Sequence, residues 1–379
     1  MSHQNWTKVP IKELYSGFWD GPHATPKEAD SGPIYLGIKN ITEDGHLDFS
    51  DIRHIAEEDF PKWIKRTEPK PGDIVFSYEA TLNRYAIIPE GFRGCLGRRL
   101  ALIRTNPEAV ETRFLYYYFF GEEWRKTVSK WKISGATVDR LPIINFPEFE
   151  VHIPPLPIQR KIADVLSAYD DLIEVNARRI RVLEAMAQSV YREWFGNVDA
   201  KSLPRGWEMV RVKSVIERLP KGTVYEQDDV AEKGEVIVID QSRAEFLGFH
   251  NNAPDFDATP ENPIAIFGDH TCKMQLLVRP FSIGPNVVPF TSTKGYPIHY
   301  VFSLVNGLVE TKDYKRHWND LVDKDIALPP VKLANQYAEK IQPILAQQDL
   351  LMKVNRHLRR TRDLLLPRLV SGEVGVEGL

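Results

Sequence analysis

The sequence predicts an α+β protein with two globular segments separated by two long antiparallel helices, the second half a pseudo-repeat of the first. Three observations predict it. Trp6-Thr7-Lys8-Val9-Pro10-Ile11-Lys12-Glu13-Leu14 returns as Trp207-Glu208-Met209-Val210-Arg211-Val212-Lys213-Ser214-Val215, a Trp with apolar residues three, five and eight positions on and a Lys at six. The Pro154-Pro155 pair after Val151-His152-Ile153 returns as Pro329-Pro330 after Ile326-Ala327-Leu328. Each Pro-Pro pair then opens a long stretch of helical periodicity. A pattern repeated at long period signals duplication. The expected order is a first domain over 1–153, a first helix over 154–196, a second domain over 202–328 and a second helix over 329–372.

The first helix carries the clearest periodic signal. Ile162, Leu166, Tyr169, Ile173, Asn176, Ile180, Leu183, Ala187, Val190 and Trp194 alternate steps of four and three, a heptad seam. Gly196 directly after Phe195 is a natural stop. From 158 to 195 such a helix is about 60 Å long and needs a partner along its seam. The second helix supplies one through Ile341, Ile344, Gln348, Leu351, Asn355, Leu358, Arg362, Leu365 and Leu369, with Gln348 and Arg362 interrupting the apolar pattern. Pro343 cannot donate to residue 339, so a bend or a fresh helix start is expected there. Asn176 falls on a d position and Asn355 on an a position, which face each other in an antiparallel pair. Either the two amides meet and fix the register at some cost in stability, or each lies at a solvated edge.

In the first globular segment Ile74-Val75-Phe76, Ala86-Ile87-Ile88 and Leu100-Ala101-Leu102-Ile103 read as strands. One helix is expected with Asn106 as its N-cap, Pro107 at its first position and a face of Val110, Phe114, Tyr117, Gly121, Trp124 and Val128. The second segment is richer in strands, expected at 236–239, 264–267, 276–278, 287–288 and 300–304. Both segments therefore read as α+β.

The chain has 379 residues, 42% of them hydrophobic and 27% charged, and a net charge of −3. No stretch approaches the roughly 18 to 20 apolar residues that cross a bilayer. The start, Met1-Ser2-His3-Gln4-Asn5-Trp6, lacks the basic-then-apolar pattern of a signal peptide. Cys95 and Cys272 stand far apart, so free thiols in a reducing cytoplasm are expected. The net charge argues against strong, indiscriminate DNA affinity, though it permits a basic face on an acidic remainder.

No phosphate-binding glycine loop, no His pair at metal-ligand spacing and no Ser, His and acid arrangement is visible. No catalytic residue, metal or cofactor is expected. The nearest enzyme-like feature is Asp59 with Glu68-Pro69-Lys70, a weak echo of the carboxylate-and-lysine metal site of nucleases. It is followed by the turn Pro71-Gly72-Asp73. What remains is loops with residues suited to nucleic acid. In the first segment these are Ser77, Tyr78, Thr81, Asn83 and Arg84, then Lys130, Lys132, Ser134 and Thr137. In the second they are Gln241, Ser242 and Arg243, then His270, Thr271 and Lys273, then Lys315, Arg316, His317 and Asn319. Arg and Lys read guanine edges, Asn and Gln read adenine, and hydroxyls with Lys hold phosphates. Each residue singly also fits an ordinary solvated surface, so the expectation rests on the clusters.

The run Pro154-Pro155-Leu156-Pro157-Ile158-Gln159-Arg160-Lys161-Ile162-Ala163, with Leu183-Glu184, resembles the central region of the specificity subunits of type I restriction-modification systems. Leu365-Leu366-Pro367-Arg368-Leu369-Val370-Ser371-Gly372-Glu373 resembles their C-terminal signature. The Trp-x-x-Val openings, Pro71-Gly72-Asp73-Ile74 and Tyr314-Lys315-Arg316-His317 are also similar to that family. The resemblance implies two target recognition domains, each reading half of a split double-stranded DNA site, with the paired helices as a coiled-coil ruler for the spacer between the halves. It implies two methyltransferase (modification) subunits docked on the chain and restriction/translocase subunits beyond them, with methyl donor and ATP on those partners. Ala334-Asn335-Gln336 and Pro343 depart from the family's cleaner second helix. Two other readings stay open: a protein-binding adaptor with a coiled-coil spacer, and a nuclease-like enzyme fragment.

Overall fold

Short β-branched and aromatic runs between Gly, Pro and Asn make strands here, and the two heptad stretches make helices. The structure is a computed structural model; it describes residues 6–135, 138–196, 198–199, 201–242, 244–311, 313 and 315–376. The order opens with β1 (Thr7–Pro10), β2 (Tyr15–Asp20), β3 (Ala29–Leu36), β4 (Arg53–His54), α1 (Phe60–Trp63), β5 (Ile74–Ser77), β6 (Tyr85–Ile87), β7 (Gly94–Leu96) and β8 (Leu100–Thr105). Then come α2 (Thr112–Tyr118), α3 (Glu122–Trp131), β9 (Ile133–Ser134), β10 (Asp139–Arg140), β11 (Glu150–Ile153) and α4 (Leu156–Phe195). The second half holds β12 (Glu208–Arg211), β13 (Ile216–Arg218), β14 (Val236–Ile239), β15 (Gly248–His250), β16 (Ile264–Gly268), β17 (Met274–Leu277), β18 (Phe281–Ile283) and β19 (Val287–Ser292). It closes with α5 (Ile298–Val305), α6 (Trp318–Val322), β20 (Asp325–Leu328) and α7 (Val331–Val370).

Two compact units result, residues 1–173 with 357–379 and residues 174–356. The first has a four-stranded antiparallel sheet in the order β2-β8-β5-β6, a three-stranded sheet β4-β3-β7 with β3 and β7 parallel, and the pair β1-β11. The second has β13-β19-β16-β17, then β15-β14-β18 with β14 and β18 parallel, and the pair β12-β20. The repetition extends to single backbone bonds. Thr7 faces Ile153 as Glu208 faces Leu328, and Ser77 faces Leu100 as Gly268 faces Val287. Gly97 N donates to Leu36 O (2.7 Å) as Gly284 N does to Ile239 O (2.9 Å), and Tyr78 N to Arg99 O (3.1 Å) as Asp269 N to Asn286 O (2.8 Å).

The first unit is held by an aromatic core of Phe76, Tyr85, Phe114, Phe119, Trp124, Phe146 and Phe149, where Trp124 Nε1 donates to the buried Tyr85 hydroxyl at 2.8 Å. The second packs Phe195, Phe267, Phe290, Tyr300 and Tyr337. Burial of each large apolar side chain contributes about 1.5–3 kcal/mol. Helices α4 and α7 have 40 residues each and both units use parts of them. In the first unit Ile162 and Leu166 share a core with Leu369, and farther along α4 Asp170 pairs with Arg362, earlier on α7. In the second, Asn176 Nδ2 donates to Asn355 Oδ1 at 2.9 Å, while Tyr191 and Trp194 lie 6.0 and 6.3 Å from Tyr337. The helices are antiparallel within each unit.

Two expectations need correcting, and a third, of a bend or a fresh start at Pro343, is narrowed. Helix α7 runs without interruption through Pro343, so no fresh start occurs there. Pro343 and Glu339 are both exposed, and water can take the carbonyl the proline leaves without a donor. Residues 300–304, expected as a strand, lie in α5: Ile298, Val301 and Val305 step by three and four behind Pro297, and a short apolar run does not distinguish the two periods. The single helix expected from Asn106 is two helices. Asn106 caps only a turn, its Oδ1 accepting from Glu108 N at 3.1 Å, and α2 starts after the extended Glu111. Gly121, extended, then divides α2 from α3; a Cβ there would sit 2.8 Å from Val370.

Candidate nucleic-acid interface

In the first unit the loop from β5 to β6 folds on itself. Ser77 Oγ donates to Thr81 O and accepts from Arg84 N (3.3 Å), so Ser77 is 1% exposed. The Tyr78 hydroxyl donates to Arg98 O at 2.9 Å, and burial pushes its pKa up to about 12. Ala80 (φ 69°) and Asn83 (φ 61°) adopt left-handed backbone, a costly state for alanine that recurs at binding loops. Ala80 N donates to Asp139 O (2.9 Å) and Leu141 N to Tyr78 O (2.7 Å), stitching the loop to the β9–β10 hairpin. On that hairpin Lys132 pairs with Asp139 at 3.0 Å, and bonds from Lys132 and Ser134 hold the Asp139 carboxyl below its usual range. Thr81, Asn83, Lys130, Lys132 and Ser134 are exposed, while Arg84 pairs with Glu43. Thr137 lies outside the described residues.

In the second unit three loops converge. The β16–β17 turn, equivalent in register to the β5–β6 loop, meets the β14–β15 loop: His270 N donates to Gln241 Oε1 (3.1 Å) and Thr271 Oγ1 to Gln241 O (2.7 Å). His270 Nδ1 lies 3.1 Å from Lys315 O, and Trp318 N donates to Asp269 Oδ1 at 3.0 Å, which brings in residues 315–319. Lys273 is spent internally, donating to Asp240 O (3.1 Å) and Ala244 O (2.6 Å), and burial lowers its pKa. Ser242 Oγ donates to Asp240 Oδ1 at 2.8 Å. His317 is 2% exposed, set between Asp320 Oδ2 (3.0 Å) and Asp313 O (3.1 Å). Thr271, Lys315, Arg316 and Asn319 face outward; Arg243 lies outside the described residues.

The candidates therefore divide. Ser77, Tyr78, Lys273 and His317 shape the loops, and the exposed hydroxyls, amides and cations are left to meet a ligand. Sequence reasoning missed Arg98, Arg99 and Arg140. Arg98 is exposed beside Tyr78, Arg99 Nε lies 3.3 Å from Glu79, and the Arg140 backbone faces that of Glu79 in an isolated antiparallel β-bridge. The signal for Arg98 and Arg99 was Gly97-Arg98-Arg99 at a turn entering a strand. Most cations here already have carboxylate neighbours: Arg84–Glu43, Arg99–Glu79, Lys132–Asp139, Lys315–Asp320 at 3.1 Å and Arg316–Asp269 at 3.8 Å. A polyanion must displace those carboxylates, which keeps attraction short-ranged and sensitive to salt.

Among the described residues no group of three or more His, Cys, Asp or Glu could hold a metal ion, and Glu68 and Lys70 are simply exposed. No described helix is long and apolar enough to cross a membrane.

Residues 4–185 match the type I restriction modification DNA specificity domain. The chain is similar along nearly its whole length to two proteins of Methanocaldococcus jannaschii. It is 24% identical to the type I restriction enzyme MjaIX specificity subunit, over 97% of this chain and 90% of that one. It is 22% identical to the putative MjaX specificity subunit, over 99% and 95%. Its fold is similar to the crystal structure of the type I restriction-modification system S subunit from M. genitalium, with a TM-score of 0.59, 15% identity and 96% of each chain covered. Residues 4–185 thus match the specificity domain, and along nearly its whole length the chain is similar to specificity subunits of type I restriction enzymes.

Proposed function

We propose that this chain is the DNA-reading subunit of a restriction-modification complex and recognises a two-part site, one half through each unit. The observation that carries the reading is the doubled loop set: the β5–β6 loop and the β16–β17 turn hold equivalent register positions, and each is bonded to neighbouring loops rich in hydroxyl, amide and cationic groups. Recognition domains over 1–153 and 202–328 supply the base contacts. Helices α4 and α7, over 154–196 and 329–372, set the length of the unread spacer.

The chain itself does no chemistry in this reading. Two methyltransferase subunits dock on it and bring the methyl donor, restriction/translocase subunits bring ATP hydrolysis, and the complex acts in the cytoplasm. Two linked readers bind a composite site more tightly than either alone through effective concentration. The locally neutralised loops fit weak binding by the isolated chain and strong selective binding once partners add phosphate contacts.

Selection from random-sequence DNA with the purified complex tests this. The expected result is a bipartite motif whose spacer changes, with both halves intact, when α4 and α7 are lengthened by one turn. No enriched motif overturns the DNA reading in favour of a protein-binding adaptor, and an unchanged spacer overturns the ruler.

A further inference from the structure

The β14–β15 loop of the second unit has two sides. One carries Gln241 and Ser242 and is bonded to the β16–β17 turn through His270, Thr271 and Lys273. The other carries Glu245, whose Oε1 accepts from Arg279 Nη2 at 3.4 Å, just past β17, and from Arg356 Nη1 at 3.2 Å on α7. Arg279 Nε also lies 3.4 Å from Asp349 Oδ1 on α7. That last contact is ionic and not a hydrogen bond, because Arg279 Nε and Nη1 are buried without hydrogen-bond partners. Two cations and two anions thus balance one another at side-chain exposures of 16% to 33%. Gln275 Nε2 adds a long bond to Glu245 O at 3.5 Å. A cavity of about 570 Å³, lined in part by Glu245, Arg279 and Asp349, adjoins the network.

A loop outside any strand ladder takes its position from such contacts. Part-buried ion pairs are screened less by salt than surface pairs and hold geometry better. The equivalent loop of the first unit is fastened differently: Tyr116 donates to Gly45 O at 2.8 Å, and Glu43, 85% exposed, meets Arg84.

We propose that Glu245, held by Arg279 and Arg356, is a positioning residue that fixes the second DNA-reading loop to helix α7, so that base discrimination in that half-site depends on the helix. The proposal rests on the DNA-reading function above. It makes α7 part of the reading apparatus of the second unit as well as a spacer.

The test is DNA selection with the full complex carrying Glu245→Gln, Arg356→Gln, Arg356→Lys or, as control, Glu43→Gln. The half-site read by the second unit is identified beforehand with Thr271→Ala. Glu245→Gln and Arg356→Gln are each expected to lower single-mismatch discrimination in that half-site by about tenfold, a mid-range mismatch penalty. The other half-site stays unchanged, Arg356→Lys retains most of the discrimination, and Glu43→Gln leaves the second half-site as it was. Wild-type discrimination in Glu245→Gln overturns the proposal, and so does an equal loss in both half-sites with a lowered melting temperature, which marks general destabilisation. Failure of the wild-type complex to enrich any motif overturns the underlying function, and the proposal with it.

Discussion

Arg362 interrupts an otherwise apolar seam, and replacing it tests what the interruption does. In the first unit its guanidinium bonds Asp170 on α4 and, through Nε (3.0 Å) and Nη2 (2.9 Å), the neighbouring Asp363. The Tyr117 hydroxyl donates to the other Asp170 oxygen, and burial with the adjacent carboxylate raises the Tyr117 pKa. The Arg362 and Asp170 side chains are 8% and 17% exposed. Arg362→Met leaves the Asp170 carboxylate with the tyrosine and no cation bonded to it, Arg113 acting only from a distance. Breaking a buried pair from one side costs about 3–5 kcal/mol. Partial exposure of Asp170 places this case near about 3 kcal/mol, a fall in melting temperature of roughly 6–12 °C at this size. Asp170→Leu with Arg362→Met removes both charges and returns stability to within about 1 kcal/mol of wild type or above it. Calorimetry of the wild type, both single variants and the double variant closes the cycle. A loss below about 1 kcal/mol for Arg362→Met, or a double variant no more stable than the worse single, would refute the account of Arg362 as a compensated buried charge.

Asn176→Ala takes the amide donor from Asn355 Oδ1 in a seam where the two residues are 3% and 4% exposed, and should cost about 1–3 kcal/mol in urea unfolding. Asn176→Leu with Asn355→Leu should recover that loss while loosening helix register, seen as a broadened distribution in sedimentation. Burial lowers the pKa of His299, whose Nε2 lies 3.0 Å from Pro260 O. The unfolded chain therefore takes the proton first: stability is full above the ordinary histidine value of 6.5 and falls as pH drops from there towards the folded pKa, a slope that His299→Gln should flatten in acid titrations. Gln159→Ala should destabilise the first unit by about 1–3 kcal/mol, because the 1%-exposed amide accepts from Glu111 N (2.9 Å) and donates to Pro154 O (2.8 Å).

The parts legible in the sequence were those fixed by period. Heptad steps determine which face of a helix is covered, and Ile162, Leu166, Ile173, Asn176, Leu351 and Asn355 are all buried, with Tyr169, Ile180, Leu183 and Leu358 half-buried. Arg362 read as a fault because its compensating carboxylate belongs to a distant segment, and no local pattern announces it. Residues 300–304 misled because four apolar residues in a run of five suit either period until Ile298 and Val305 are counted with them. The loops were legible as loops through their turn residues. Which atoms they turn inward was not: Tyr78 and His317 have the chemistry of ligand contacts and are used as internal struts.

The two copies also show how a duplicated scaffold diverges without losing its geometry. After each Pro-Pro pair the fifth residue on from the first proline is buried, Gln159 in one copy and Ala334, 0% exposed, in the other. Gln159 is needed because Glu111, which caps α2, has a backbone N–H with no partner in the first turn of its helix. The residue in the same place before α5 is Pro297, which has no N–H to satisfy. A buried amide at 334 would have nothing to accept from there, so alanine packs where glutamine bonds. Two changes that look unrelated in the sequence, a proline before one helix and an alanine inside another, are one compensation between segments that touch.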